Sequence, residues 1–370
     1  MSNLALIKSI LDRRIENVFP SREAVERRLA EEKLNIYLGI DPTGPDIHLG
    51  HTIALFFLKD LARLGHKPIL LIGDFTARIG DPTGKDFARK PLTPKEIEVN
   101  AKTYTEQVAK ILPKDSFQVR YNSEWLSKMS LEEVIGLASH VTVQQMIARD
   151  MFQERIKRKA PIYLHEFLYP IMQGYDSIAM EVDGEVGGND QTFNMLVGRE
   201  LEREYLQKDK LVFATRLLVD ASSGKKMSKS EGNLIAINDD PQEIRRKVLA
   251  IDDAMTATIF ELCTEKDQSW IDERKQNNPR AFKEALAEEL VRMYHGENAV
   301  GEAQKPIEEE GGQLARALKV WGATSSISAA KDIIDSGGVR VNNEVEKDWN
   351  RKLNSGDEIQ VGKGKFYKVK

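Results

Sequence analysis

A β-rich hexapeptide at Asn35–Ile40 (NIYLGI), a proline- and glycine-rich turn at 41–46 (DPTGPD), an apolar stretch at helical period over 48–64 and the apolar run Lys67–Ile72 (KPILLI) follow one another within about 40 residues. Gly65-His66 ends the helical stretch and Gly73-Asp74 closes the second run. Strand, loop, helix and strand in that order form a βαβ unit. A continuous apolar run such as KPILLI suits a parallel strand covered on both faces. The fold class is therefore α/β.

Composition narrows the rest. The chain has 370 residues, 41% of them hydrophobic and 30% charged, enough for a sizeable core in two or three domains. A disordered chain would be poorer in apolar residues. One cysteine, Cys263, excludes a disulfide framework and a Cys-rich zinc site. No apolar run approaches the ~20 residues of a membrane helix. Leu4, Ile7, Leu11 and Ile15 recur at helical spacing, so the N-terminal stretch reads as an amphipathic helix rather than a secretory core, and a reducing, intracellular setting is expected.

Further along, 21–32 reads as a polar helix and FQVRYN as a strand within a charged, helical region at 90–160. The helix beginning at 167–176 leads to the strand GEVGG (Gly184–Gly188), a helix over 190–205 and a strand over 210–218. From Pro241 the pattern is helical up to the Glu/Gly stretch 308–312, the expected domain boundary. Helices at 313–320 and 328–336 then lead into GGVRVN and short strands. From Leu314 onward eleven Lys and Arg face seven Asp and Glu, a balance of +4 on a chain of net charge −4. A basic end on an acidic body suits a polyanionic partner, or is a fluctuation of composition.

Two motifs carry chemistry. His48-Leu49-Gly50-His51 sits between the turn and the helix start, where unpaired N–H groups and the helix dipole attract an anion. Gly50 lets a ligand approach the backbone, and the imidazoles can donate to phosphate. Two structural histidines are the plainer alternative; a metal reading lacks further ligands nearby. Lys225-Lys226-Met227-Ser228-Lys229-Ser230, flanked by glycines, makes a cationic loop able to clamp a triphosphate, although such a run taken alone is more often a solvated charge run.

HLGH followed about 180 residues later by KMSKS resembles the paired signature of class I aminoacyl-tRNA synthetases. Tyr37–Thr43 (YLGIDPT), 79–85 (IGDPTGK), 169–176 (YPIMQGYD) and 187–191 (GGNDQ) resemble, in order and spacing, the bacterial tyrosyl-tRNA synthetases. The tail from Ser325 resembles an S4 RNA-binding domain. The resemblance implies a Rossmann-like catalytic domain with a helical, dimer-forming insertion over 1–219, the KMSKS loop and an α-helical connecting domain over 220–310, and a small α+β S4-like domain over 311–370. It implies activation of L-tyrosine by ATP to tyrosyl-adenylate, release of pyrophosphate, and transfer to the terminal adenosine of tRNA(Tyr). Mg²⁺ would accompany ATP, with no metal held tightly by the protein. A cytoplasmic homodimer with no membrane association completes the expectation.

By the same resemblance, Thr43, His48, His51, Lys85, Arg89, Lys226 and Lys229 neutralise charge on the phosphates. Gly50, Gly188, Asp190, Met227, Ser228 and Ser230 bind ATP. Tyr37 and Asp176 meet the phenol, Asp81, Tyr169 and Gln173 hold the α-ammonium, and Asp41 and Gln191 orient the reacting end. Lys331, Arg340 and Asn342 contact RNA, with Lys319, Lys363, Lys365, Lys368 and Phe366 as further candidates on that face. Asn189 and Thr192-Phe193 depart from the family's usual GGSDQWGN, and Ala329-Ala330-Lys331 from the usual S4 pattern. A tryptophan-specific relative, a free-standing nucleotidyltransferase and an RNA-binding scaffold without catalysis are the rival readings.

Overall fold

A computed structural model describes residues 3–83, 92–219, 234–276, 278–304, 307–309, 311–362 and 364–370. The chain divides into two compact units. One runs to Val219 and includes Glu261–Cys263; the other holds the remainder.

The first unit is built on a six-stranded sheet: β1 (Ile15–Phe19), β2 (Asn35–Ile40), β3 (Lys67–Ile72), β4 (Gln118–Tyr121), β5 (Gly184–Gly188) and β6 (Leu211–Thr215), in the order β1-β6-β5-β2-β3-β4. All neighbours are parallel except β1, which runs antiparallel along the edge of β6. In β3 all but the first residue is buried, and β6 is buried throughout, as strands covered on both faces must be. The helix Leu49–Arg63 packs onto this sheet through Leu49, Ile53, Phe57 and Leu61, each with at most 1% of its surface exposed. Full burial of such side chains contributes about 1.5–3 kcal/mol apiece. The strand order reverses around β2, so the carboxyl ends of β2 and β5 open onto a crevice, the usual ligand position in an open α/β sheet.

Several expectations change. The N-terminal helix stops at Arg14, and Ile15, which continued its apolar spacing, begins β1. Ile15 is buried all the same, because pairing with β6 hides it as well as a helix would. Leu4, by contrast, is 43% exposed. The strand expected over 210–218 is the shorter Leu211–Thr215. Within the expected helical region at 90–160, the stretch 143–157 forms two helices, Val143–Ile147 and Asp150–Lys157, divided at Ala148-Arg149.

The helices His165–Met180 and Thr192–Leu206 cross backbone to backbone. A methyl group at Gly174 would stand 2.8 Å from Leu201 Cδ1 and 3.2 Å from the Gly198 backbone. One at Gly198 would stand 2.6 Å from Lys210 Nζ and 3.2 Å from Ser177 Oγ. Beside them, Arg155 and Glu166 form a fully buried two-pronged ion pair at 2.8 and 2.9 Å.

In the second unit, helices Pro241–Ala250, Asp253–Cys263 (all but its last turn), Gln268–Arg274, Pro279–His295 and Glu297–Gln304 precede a five-stranded sheet. Its strands are β7 (Ile307–Glu309), β8 (Val339–Val341), β9 (Glu344–Val345), β10 (Glu358–Val361) and β11 (Lys365–Val369), ordered β7-β11-β10-β8-β9. The Glu/Gly stretch expected to mark a domain boundary thus supplies a strand: β7 pairs parallel with β11. Leu314, Leu318, Ala330, Ile334, Val339, Val341 and Ile359 fill a small core of its own.

Gly174→Ala is expected to destabilise the protein by about 1–3 kcal/mol, because neither the Gly198 backbone nor the packed Leu201 can yield without shifting a helix. Thermal denaturation of the variant against the parent measures this.

Candidate active site

The first turn of the helix Leu49–Arg63, where an anion site is expected, is shaped by its two histidines. His48 is its N-cap, and its Nδ1 accepts the Gly50 N–H at 3.2 Å. His51 Nδ1 accepts the His48 N–H at 3.3 Å, a reciprocal capping box built from imidazoles. The two rings stack with centroids 3.8 Å apart. With each Nδ1 accepting, the proton of each neutral ring belongs on Nε2, where it can be donated to a phosphate oxygen. Gly50 is needed for a second reason: a Cβ there would stand 3.1 Å from the His48 ring.

The preceding turn is held from outside. Asn100 donates to Pro42 O at 3.0 Å, Tyr104 to Gly44 O at 2.7 Å and Gln107 to Pro45 O at 2.8 Å. Gln107 Oε1 also accepts the Ile47 N–H. These bonds leave Thr43 exposed at the turn, its N–H bonded to Asp41 O. At the end of β5 a Cβ on Gly188 would meet Asp190 Oδ1 at 2.5 Å, so only glycine lets that carboxylate fold back over the strand end.

Behind this lies a buried polar network. Tyr37 on β2 is fully buried, with its Oη 3.1 Å from Ser177 Oγ. Asp176 accepts from Trp125 Nε1 at 2.7 Å and from Asn122 Nδ2 at 3.3 Å. Asn122 also donates to Thr76, which donates to Asp41 Oδ1; Tyr169 donates to Asp41 Oδ2 at 2.9 Å. Gln173 donates to Glu185 at 2.9 Å and accepts from Asn194 at 3.1 Å. Asn194 also donates to Gln191 Oε1, whose Nε2 donates to Asp81 Oδ2 at 2.7 Å. Tyr169, Asp41 and Asp176 thus belong to one hydrogen-bonded chain and Gln173, Gln191 and Asp81 to a second, while Tyr37 is paired with Ser177.

Burial governs the titrations. It holds the Tyr37 and Tyr169 hydroxyls well above the usual phenol range, reinforced at Tyr37 by Glu185 and Asp176 and at Tyr169 by Asp41 and Asp81. It raises the Asp176 carboxyl well above the usual range, opposed by the donors Trp125 and Asn122. Both phenols stay protonated at neutral pH and act as hydrogen-bond donors. Arg149 lies near Asp81, donates to Thr83 at 2.9 Å and is lowered to about 10 by burial. Cys263 is buried, its thiol pushed up to about 12, which leaves it unreactive.

Sequence reasoning misses Asn122, Trp125, Arg149, Ser177, Glu185, Asn194 and Lys210. A carboxylate inside the buried strand GEVGG and a lysine at the threshold of a buried strand are the available signals, since a buried charge needs a partner. Lys85, Arg89, Lys226, Met227, Ser228, Lys229 and Ser230 lie outside the described residues, as does Lys363.

In the C-terminal sheet the RNA candidates diverge. Arg340 is exposed and donates to Asn343 O, and Lys331 Nζ lies 3.7 Å above the Trp349 ring. Asn342 spends both ends of its amide on the fold, donating to Asp357 and accepting the Glu358 N–H at 2.9 Å each. Its φ of 51° is the left-handed conformation of a turn residue. Lys365 is committed to the carbonyls of Gly322 and Ala323, and Arg245 covers Phe366.

A crevice at the strand ends of a parallel sheet, a phosphate-ready helix start and a buried polar pocket define a nucleotide-using α/β enzyme. The family model for class I tRNA synthetases (W and Y) matches residues 29–310, and that for the S4 domain residues 306–370. The tyrosine–tRNA ligase of Carboxydothermus hydrogenoformans is 42% identical, over 97% of this chain and 96% of its own. That of Thermotoga maritima is 40% identical over the same shares. Among solved structures, the tyrosyl-tRNA synthetase of Archaeoglobus fulgidus complexed with L-tyrosine superposes with a TM-score of 0.64 at 21% identity, over 81% of this chain and 99% of that one. The chain belongs to the class I tRNA synthetases and, within them, to the tyrosine–tRNA ligases.

Glu202 offers a test of these electrostatics. Its carboxylate is fully buried with no hydrogen-bond partner among the described residues, and burial raises it to about 7 against the pull of Lys210 and Lys208. Between about pH 4.5 and 7 the folded state therefore holds a proton that the unfolded chain has lost, so stability falls as pH rises through that window. Glu202→Gln is expected to stabilise at pH 8 by about 1–2 kcal/mol and to change little at pH 4.5. Melting temperatures across that range measure it.

Proposed function

We propose that the chain charges tRNA(Tyr) with tyrosine through the residues assembled above. ATP and tyrosine are the substrates of the first step, in which the tyrosine carboxylate attacks the α-phosphorus and pyrophosphate leaves. The nucleophile is already an anion, so no general base is needed and the work is positioning and charge neutralisation. His48 and His51 donate from the helix start to the phosphates, joined by Thr43 and by Lys85, Arg89, Lys226 and Lys229. Gly50 and Gly188 let the nucleotide approach the backbone, Asp190 accepts from the ribose, and Met227, Ser228 and Ser230 complete the nucleotide's surroundings.

Tyr37 and Asp176 read the phenolic hydroxyl. Asp81, Tyr169 and Gln173 hold the α-ammonium, with Asp41 and Gln191 fixing them. Arg149 joins this group as the cation beside Asp81. What carries the reading is the buried pair Tyr37 and Asp176, each braced on its far side by Ser177 or by Trp125 and Asn122. Phenylalanine would leave both without a partner, a cost that tyrosine-specific synthetases already exemplify.

Mg²⁺ is read as entering on the phosphates of ATP. The catalytic region spans 1–219, the KMSKS loop and helical region 220–310, and the S4-like region 311–370, with β7 lending an edge strand to the last. Lys331 and Arg340 offer charge to the tRNA backbone, while Asn342 shapes the turn between β8 and β9. The enzyme works as a cytoplasmic homodimer; Leu131, Ile135, Val143, Ile156, Tyr163 and Leu164 are exposed apolar residues within one insertion, suited to burial against a second copy. Among the described residues no helix is long and apolar enough to cross a membrane.

The test is amino-acid-dependent exchange of labelled pyrophosphate into ATP with tyrosine, phenylalanine and tryptophan. Exchange with tyrosine alone is expected, and Tyr37→Phe should lower kcat/KM for tyrosine by roughly 10-fold or more while sparing KM for ATP. Exchange with tryptophan would assign the pocket to an indole.

A further inference from the structure

Lys210 stands at the threshold of β6 with no surface exposed, and the substrate contacts proposed above do not use it. Its ammonium donates to Ser177 Oγ at 2.7 Å and to Glu185 Oε2. Ser177 lies at the phenol end of the tyrosine pocket, while Glu185, the cross-strand partner of Tyr37, acts on the Tyr37 hydroxyl and also reaches the ammonium end. Ser177 Oγ is 3.1 Å from Tyr37 Oη, at the phenol end. Glu185 Oε1 accepts Gln173 Nε2 at 2.9 Å, at the ammonium end. The absence of a side chain at Gly198 makes room for the ammonium itself.

Resting on the tyrosine-pocket reading, we infer that Lys210 is a positioning residue for amino-acid selection, setting the hydrogen-bond direction at Tyr37 and the amide orientation of Gln173 together. An ammonium can only donate, so Ser177 Oγ must accept from it. The charge polarises the Ser177 hydroxyl and makes it the better donor toward Tyr37 Oη. Tyr37 then keeps its own proton for the incoming phenolic oxygen, whose hydroxyl in turn donates a hydrogen bond to Asp176. Donation runs one way, from Lys210 through Ser177 and Tyr37 to the substrate and Asp176. At the other end, Glu185 held by Lys210 receives the Gln173 NH₂ group, which turns Gln173 Oε1 into the acceptor. Without the ammonium, the Tyr37 hydroxyl is free to turn its proton back onto Ser177, and the phenol loses its donor.

The experiment uses the full chain with Lys210→Met, Ser177→Ala and the double variant, each checked for folding by melting temperature. Pyrophosphate exchange gives kcat/KM for tyrosine and phenylalanine and KM for ATP. Either single variant is expected to reduce the preference for tyrosine over phenylalanine by about 10-fold or more, with KM for ATP within about twofold of the parent. The double variant should lose no more preference than Lys210→Met alone, because both act on Tyr37 through one hydroxyl. Equal falls for the two amino acids, an unchanged preference, or additive losses would overturn the inference. Should Lys210→Met fail to fold, Ser177→Ala decides: an unchanged preference rejects the relay and a reduced one supports it. The underlying reading fails separately, through a parent enzyme without tyrosine-dependent exchange or a Tyr37→Phe variant with undiminished preference.

Discussion

The catalytic unit depends on the close approach of the helices His165–Met180 and Thr192–Leu206, which touch backbone to backbone at Gly174 and Gly198. The first helix carries Tyr169, Gln173, Asp176 and Ser177; the second carries Asn194 and Glu202, and Gln191 precedes it. Hydrogen bonds of about 2.7–3.1 Å between these helices and the sheet tolerate no extra methyl group at the crossing. A polar network inside a protein is stabilising only when its members are satisfied, and this one nearly is. Glu202 is an exception, and it answers by holding its proton toward neutral pH.

In the proposed function, two kinds of recognition meet at the carboxyl ends of β2 and β5. The phosphate end uses backbone geometry: a helix start, a glycine between two stacked imidazoles and a turn pinned by Asn100, Tyr104 and Gln107. Such a site recognises charge and tolerates variation in what carries it. The amino-acid end uses directional hydrogen bonds in a dry environment, where a missing hydroxyl leaves costly gaps. Sheet topology brings the two ends together, because β2 and β5 are neighbours although about 150 residues apart in sequence.

How much of this the sequence reveals follows from range. β3 is legible because a strand buried on both faces writes itself as a short apolar run, β2 because it is a β-rich hexapeptide before a turn, and β5 through its closing glycine pair. The helix start at His48 is legible because its turn chemistry is local. Ile15 misleads because helical spacing and an edge strand bury the same side chain. The partners of Asp176, Trp125 and Asn122, lie more than fifty residues away, and Lys210 finds Glu185 across a helix and a strand pair. No local pattern encodes such pairings. In the tail, a lysine or asparagine reads equally as a phosphate ligand or a brace. Lys365 and Asn342 prove to be braces, while Arg340 stands exposed. The lysines of KMSKS, with Lys85 and Arg89, lie outside the described residues.

Which way round the amino acid lies is decided by a crystal structure of the protein with L-tyrosine. The phenolic oxygen is expected within hydrogen-bond distance of both Tyr37 Oη and Asp176, with the ammonium among Asp81, Tyr169 and Gln173. A tyrosine bound with its ring away from Tyr37 and Asp176, or with its ammonium beside them, would contradict that orientation.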